Sequence, residues 1–430
     1  MKLWRFGLVL CILLMSCRAV PTVSVDARKI VVLWHGFSGA EAQALETLTD
    51  RFNVGNDEGI IVVTEYQEDL PAKLQLDPDR RPDLVTLWPQ DLRTYVELGI
   101  IGAAPTASVE MQRAWDDFLP MAGTLYQVGG VPLALPLGLA TYLSFSNADW
   151  LADLGYDADE ATWEDMRRTV CAATDPLRGQ VGMGIPARSS LFLALLAASG
   201  SSIMGEDGSY HFADEPGHRT AALLQEILSG NCGTLYEDRE AGVSRLSRSS
   251  IALIVESSES LFEIEQSILT GRNFQLTISP IPGPDGPGPT LWYGPGLMIS
   301  AAEAERQEAA LEVMHWLFSP EAQSYWGETT EYVPIRRSVV DAALEETMGA
   351  IAGSSWRQTQ GERRLWEIAA DAADRGTWVA WPPATNRITC RASLLRGLLA
   401  LQEVDADSRA YVDTAVTACN TGVVNLSFSD

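Results

Sequence analysis

KIVVLW (29–34), GIIVVTEY (59–66) and LVTLW (84–88) are short runs rich in apolar and β-branched residues, and each is followed by a segment of helical character. After the first run, Ser38-Gly39-Ala40-Glu41 has capping-box spacing, and Leu45, Leu48 and Phe52 recur at helical intervals behind it. A short helix is expected over 71–76 and another over 91–98, stopped by Gly99. The series is β-α-β-α-β, which implies the α/β class and a parallel sheet with right-handed crossovers. In such sheets ligands bind beyond the carboxyl ends of the strands. Here those ends carry Trp34-His35, Glu65-Tyr66 and Trp88-Pro89. Core packing would explain any one of these aromatics; their recurrence at one architectural position suggests a cleft.

Downstream the pattern changes. Residues 131–147 are apolar but broken by Pro132, Pro136 and Gly138. Helices are expected over 163–173, 189–199 and 217–229, and strands over 251–255 and 274–278. The first of these strands leads into Glu256-Ser257-Ser258-Glu259. A Pro/Gly-rich loop at 280–289 is followed by LWYGPGLMIS (291–300) and a helix expected over 301–318. The last hundred residues read as mostly helical, with no internal repeat.

Composition bounds the function. The chain has 430 residues, 46% of them hydrophobic, with a net charge of −26. So long a chain outgrows one core, and two lobes are expected. Such acidity disfavours phosphate backbones, so nucleic acid is not an expected partner. Lys2 and Arg5 precede an apolar run of about ten residues, Phe6 to Met15, which suits a signal-peptide core and is too short to span a bilayer. It ends in Leu14-Met15-Ser16-Cys17, which resembles a bacterial lipobox, so residues 1–17 are expected to be a leader with lipid attached at Cys17. The alternative is an ordinary secretory signal in which Cys17 is incidental. Apart from Cys11 and Cys17, four cysteines remain: Cys171, Cys232, Cys390 and Cys419. They form no CxxC pair, and in an exported chain they permit two disulfides in any of three connectivities.

The order of landmarks resembles that of the extracellular solute-binding proteins of bacterial ABC importers, in the sugar-binding group that includes maltose-binding protein. The opening VVLWHGFSGAEAQALETLTDRFN, then VTEYQEDLPAKLQ and PDLVTLWPQDLRTYVELGII, are similar to that family's first strands and helices. GGVPLALPLGLATYLSFSNADWLADLGYD with TWEDM is similar to its crossover region, and FSPEAQSYWGETTEYVPIRRSVV to its later "SPEAQ" stretch. The chain departs from the pattern at Phe145-Ser146 and at Glu256-Ser257-Ser258. The resemblance implies a two-lobed periplasmic-binding-protein fold, with two α/β lobes, hinge crossovers and a ligand cleft. Residues 18–128 plus about 275–325 would form the first lobe, and about 129–274 plus 326–430 the second. It further implies a monomer that hands a carbohydrate to a membrane permease, without cofactor or metal. Matching landmarks places Trp34, His35, Trp88, Asp91, Ser257, Glu259, Trp292, Tyr293 and Tyr332 near the cleft. Trp292 follows the Pro/Gly loop and precedes Gly294, a setting in which a flat ring could stack on a sugar; an interlobe plug is the alternative. Arg336 fits a structural place beside the hinge better than a ligand contact.

Enzyme classes find less support. VVLWHGFSGA is similar to the oxyanion loop of an α/β-hydrolase, but no Ser stands two residues before any Gly, so the nucleophile elbow is missing. The histidines, His35, His211, His218 and His315, are scattered without HExxH. A glycoside hydrolase using two of Glu65, Asp91 and Glu259 stays open. A glycerol-phosphate-type polyol ester is the alternative ligand; it needs donors for an anion, for which Arg336 and Arg337 offer themselves.

Overall fold

The computed structural model describes residues 29–76, 80–159, 161–205, 208–345, 359–382 and 387–421; the expected leader and Cys17 lie outside them. No helix among the described residues is long and apolar enough to cross a membrane. The strands in chain order are β1 (Lys29–His35), β2 (Ile60–Tyr66), β3 (Leu84–Leu87), β4 (Gln127–Val128), β5 (Val131–Pro132), β6 (Ala134–Pro136), β7 (Ala140–Asn147), β8 (Val181–Pro186), β9 (Gly233–Tyr236), β10 (Ile251–Ser257), β11 (Leu276–Pro280), β12 (Thr290–Tyr293), β13 (Gly296–Ile299) and β14 (Trp378–Ala380). The first sheet has the order β2-β1-β3-β13-β6, with β1 parallel to both β2 and β3 as the β-α series required. The second has the order β14-β12-β7-β10-β8-β9, with β11 also on β7. Two α/β lobes therefore share one chain.

Local chemistry sets the first unit. In the helix Gly39–Gly55 the residues Leu45, Leu48 and Phe52 are buried at the expected spacing, each Leu contributing about 1.5–3 kcal/mol. Asn56 ends it: its amide nitrogen donates to Phe52 O (2.8 Å) and Ile60 O (2.9 Å), and its oxygen accepts from Ile60 N, so one side chain joins the helix to β2. The expected Ser38–Glu41 capping box does not form; Ser38 makes no capping hydrogen bond.

The return to the first sheet begins later than expected. Residues 276–280 and 290–293, expected in the first lobe, pair with β7 of the second sheet, and the first sheet is regained only at Gly296. The cause is β7 itself. Its eight residues are all buried, so both edges need partners: β10 takes one, while β11 and β12 follow one another along the other. The Pro/Gly loop between Pro280 and Thr290 joins these two strands. Conversely β6, at 134–136, belongs to the first sheet although its residues were expected in the second lobe.

The chain passes between sheets at Leu137–Leu139, at Gly294–Pro295, and in the segment after the helix Pro320–Thr329. These passages lie side by side: Leu137 N donates to Pro295 O (2.7 Å), and Leu139 and Val333 exchange hydrogen bonds of 2.8 Å. A Cβ on Gly294 would lie 1.9 Å from Gly138 O, so glycine alone permits this contact. Arg336 is structural here, donating from Nη1 to Asp117 and from Nε to Phe318 O. Disulfides join Cys171 to Cys232 and Cys390 to Cys419. The second ties the helices Arg387–Ala400 and Ser408–Asn420 together.

Candidate ligand-binding site

A cavity of about 510 Å³ opens where the carboxyl ends of β8, β9 and β10 face the segment after β3. That volume suits a small organic ligand. Trp88 and Gln90 reach it from the first lobe. The second lobe supplies Tyr142 from β7, Arg188 and Ser190 after β8, Arg239 after β9, Ser257 and Glu259 at the end of β10, Tyr293 from β12 and Trp381 after β14. The helix Arg387–Ala400 closes one wall with Arg391, Leu394 and Leu395.

Tyr293 is the hub of the aromatic lining. Its ring centroid lies 6.4 Å from that of Trp88, 5.9 Å from that of Tyr142 and 5.4 Å from that of Trp381. Its hydroxyl is 2.5 Å from Ser257 Oγ and donates to Glu259 Oε2 at 3.0 Å. Tyr332 donates to the other oxygen, Glu259 Oε1, at 2.5 Å. The turn after β10 aims this carboxylate, because Ser257 Oγ accepts from Glu259 N (3.1 Å). Burial, reinforced by the Glu259 charge, holds the phenols of Tyr293 and Tyr332 well above their ordinary range, so both remain hydrogen-bond donors. Glu256, fully buried behind the wall, meets Arg188 at 3.1 Å. Burial opposes the charge of Arg239, but the carboxylates of Glu256 and Glu259 outweigh it and push the guanidinium up.

Of the residues expected near a ligand, Trp88, Ser257, Glu259 and Tyr293 line the cavity. Tyr332, only 3% exposed, stands behind Glu259 and reaches the ligand space through it. Trp292 does not line it. Neighbouring strand residues point to opposite faces, so where Tyr293 enters the cavity Trp292 enters the core, fully buried with Nε1 donating to Thr290 Oγ1. Trp34 is buried and donates to Glu65 Oε2 at 2.8 Å; His35 packs against Phe37 and Tyr66; Asp91 is buried in the first lobe. These three lie outside the cavity lining. Arg336 and Arg337 lie outside it too, paired with Asp117 and with Asp341 and Asp374. Sequence reading missed Tyr142, Arg188, Arg239, Trp381 and Arg391. Applying the strand-end rule to the second sheet would have found Arg188 and Arg239; the others carry no local signal.

Flat rings, hydroxyls, one lining carboxylate and guanidinium groups converge on a partly enclosed volume. Residues 47–352 match the family model of the bacterial extracellular solute-binding proteins. The chain belongs to that family. This solute-binding protein is 19% identical to the sn-glycerol-3-phosphate-binding periplasmic protein UgpB of Escherichia coli (strain K12), over 75% of its own length and 78% of that protein's. Its fold is shared with the cyclic α-maltosyl-1,6-maltose binding protein of Arthrobacter globiformis, with a TM-score of 0.74, 16% identity and coverage of 91% of this chain and 98% of that one. It is shared also with UgpB of Mycobacterium tuberculosis in complex with glycerophosphocholine, with a TM-score of 0.70, 18% identity and coverage of 91% and 97%. The expected two-lobed fold and family are thus established, and its members are binding proteins.

Proposed function

We propose that this solute-binding protein captures a carbohydrate between its lobes and delivers it to an ABC permease, acting as a monomer held to the membrane by lipid on Cys17. The observation that carries this reading is the Tyr293 cluster: four aromatic rings flank a carboxylate and hydroxyls in one cavity. The C–H faces of a sugar stack on such rings, and its hydroxyls bond to such polar groups. In this reading the first lobe comprises 29–136 with 296–329, and the second 140–293 with 337–421. A thermal-shift screen and calorimetry across mono- and oligosaccharides test it. A binder shows a raised melting temperature and returns the sugar unchanged. Consumption of the sugar would favour a glycoside hydrolase instead, although Glu259 is the only carboxylate among the described residues of the lining. A glycerol-phosphate-type polyol ester is the second reading. It is favoured by the guanidinium groups of the wall and by the likeness to UgpB, whose name specifies glycerol 3-phosphate.

A further inference from the structure

Over the whole chain acidic side chains outnumber basic ones, 57 to 31. On the wall of the ligand cavity the ratio reverses: Arg188, Arg239 and Arg391 line it against Glu259. Two of these cations are already answered. Arg188 is paired with the buried Glu256 at 3.1 Å, and Arg239 stands 3.9 Å from Glu259. Glu41 and Glu331 also approach the Glu259–Arg239 pair; burial pushes both their carboxyls up, that of Glu331 to about 7. Arg391 differs. It lies in the first turns of the helix Arg387–Ala400, beside Cys390, and has no carboxylate partner among the described residues. The disulfide to Cys419 anchors its helix, and from that helix the exposed Arg391 side chain lines the cavity wall.

We propose that the ligand is an anionic carbohydrate, carrying one carboxylate or phosphate that Arg391 receives. This rests on the carbohydrate reading and specifies it. A cation presented to a partly enclosed cavity interacts more strongly than one in open solvent, and a guanidinium fork matches the two oxygens of either anion. The aromatic cluster would hold the ring, and Arg391 would select which rings stay.

The test uses matched sets on common skeletons, glucose, glucuronate and glucose 6-phosphate, with the corresponding disaccharides and their uronates. Each is titrated calorimetrically into the wild-type protein and the R391Q variant, with glycerol 3-phosphate as a ring-free control. The expected result is that a charged member binds about tenfold to a hundredfold more tightly than its neutral counterpart, and that R391Q removes most of this gap by lowering the affinity of the charged member more than that of the neutral one. Rising salt should narrow the gap in the wild type. Equal or tighter binding of neutral sugars overturns the anion requirement and leaves the carbohydrate reading standing. A charge preference that survives R391Q overturns the assignment to Arg391. Binding of glycerol 3-phosphate alone, lost in R391Q, supports the anion site and overturns the carbohydrate. Absence of binding by every member overturns both. Melting temperatures of the free proteins, expected to match, separate lost recognition from lost folding.

Discussion

At Trp292 and Tyr293, adjacent residues of one strand, truncation to alanine is expected to fail in two different ways. Trp292→Ala empties a fully buried site and should cost about 3–5 kcal/mol of stability, seen as a lower urea midpoint of the free protein. Tyr293→Ala removes a ring from the cavity wall and should weaken sugar binding by about 1–3 kcal/mol, roughly five- to hundredfold by calorimetry. An unchanged affinity would remove Tyr293 from the site. Glu331 gives a pH signature. Burial pushes its carboxyl up to about 7, from an ordinary value of 4.5, while Phe262 N–H and Arg239 only partly oppose this. The folded chain therefore holds a proton that the unfolded chain releases. The stability this contributes is complete below about pH 4.5 and is lost as pH rises to about 7, at no more than about 1.4 kcal/mol per pH unit. Glu331→Gln should flatten that part of the stability profile relative to wild type; identical slopes would reject the assignment. At this scale the sequence revealed what strand ends could reveal. Trp88, Ser257, Glu259 and Tyr293 all sit at or just past recognisable apolar runs. Trp34 and His35 sit there too, but their side chains turn into the first lobe, and strand spacing alone does not say which face of a doubly covered sheet looks at a ligand.

Among the elements, β8 and β9 were the ones hidden from the sequence. VGMGIP carries two glycines and GTLY has four residues, so neither resembles a strand until the sheet supplies its neighbours. Without them the strand ends that carry Arg188 and Arg239 had no location. β14 has three residues and exists by pairing with β12, far off in sequence, which is why Trp381 gave no signal. The β-α series of the first lobe was legible because each of its steps is local. Cysteine positions were legible and their pairing was not, since pairing is a fact of helix packing. Removing the Cys390–Cys419 link by paired Cys→Ala replacement should cost about 3–4 kcal/mol, and because its helix walls the cavity, ligand affinity should fall with it. Thermal melts with and without sugar would read both; full retention of affinity would show that the helix holds its place unaided. Gly294→Ala should destabilise by about 1–3 kcal/mol, since a Cβ there would lie 1.9 Å from Gly138 O in the neighbouring passage. A wild-type urea midpoint for that variant would contradict the close contact.

For the molecule as a whole, sugar should draw the lobes together, because ligand that touches Trp88 on one side and Tyr293 on the other favours the arrangement in which both contacts exist. A smaller radius of gyration in solution scattering on adding ligand is the expected result, and no change would argue against closure. Cys17→Ala should release the protein from the membrane fraction of its native host; unchanged partitioning would refute the lipid anchor. The interleaving of the lobes has its own consequence for how the protein is made. A ribosome emitting this chain from its N-terminus cannot finish the first sheet before Gly296–Ile299 has emerged, and the outer edge of the second waits for Trp378–Ala380. Contacts between such distant parts of a chain form slowly, and an incomplete sheet offers unpaired edges meanwhile. The nascent polypeptide should therefore stay incompletely folded until late in its own synthesis, a state that would suit threading across a membrane before either lobe locks.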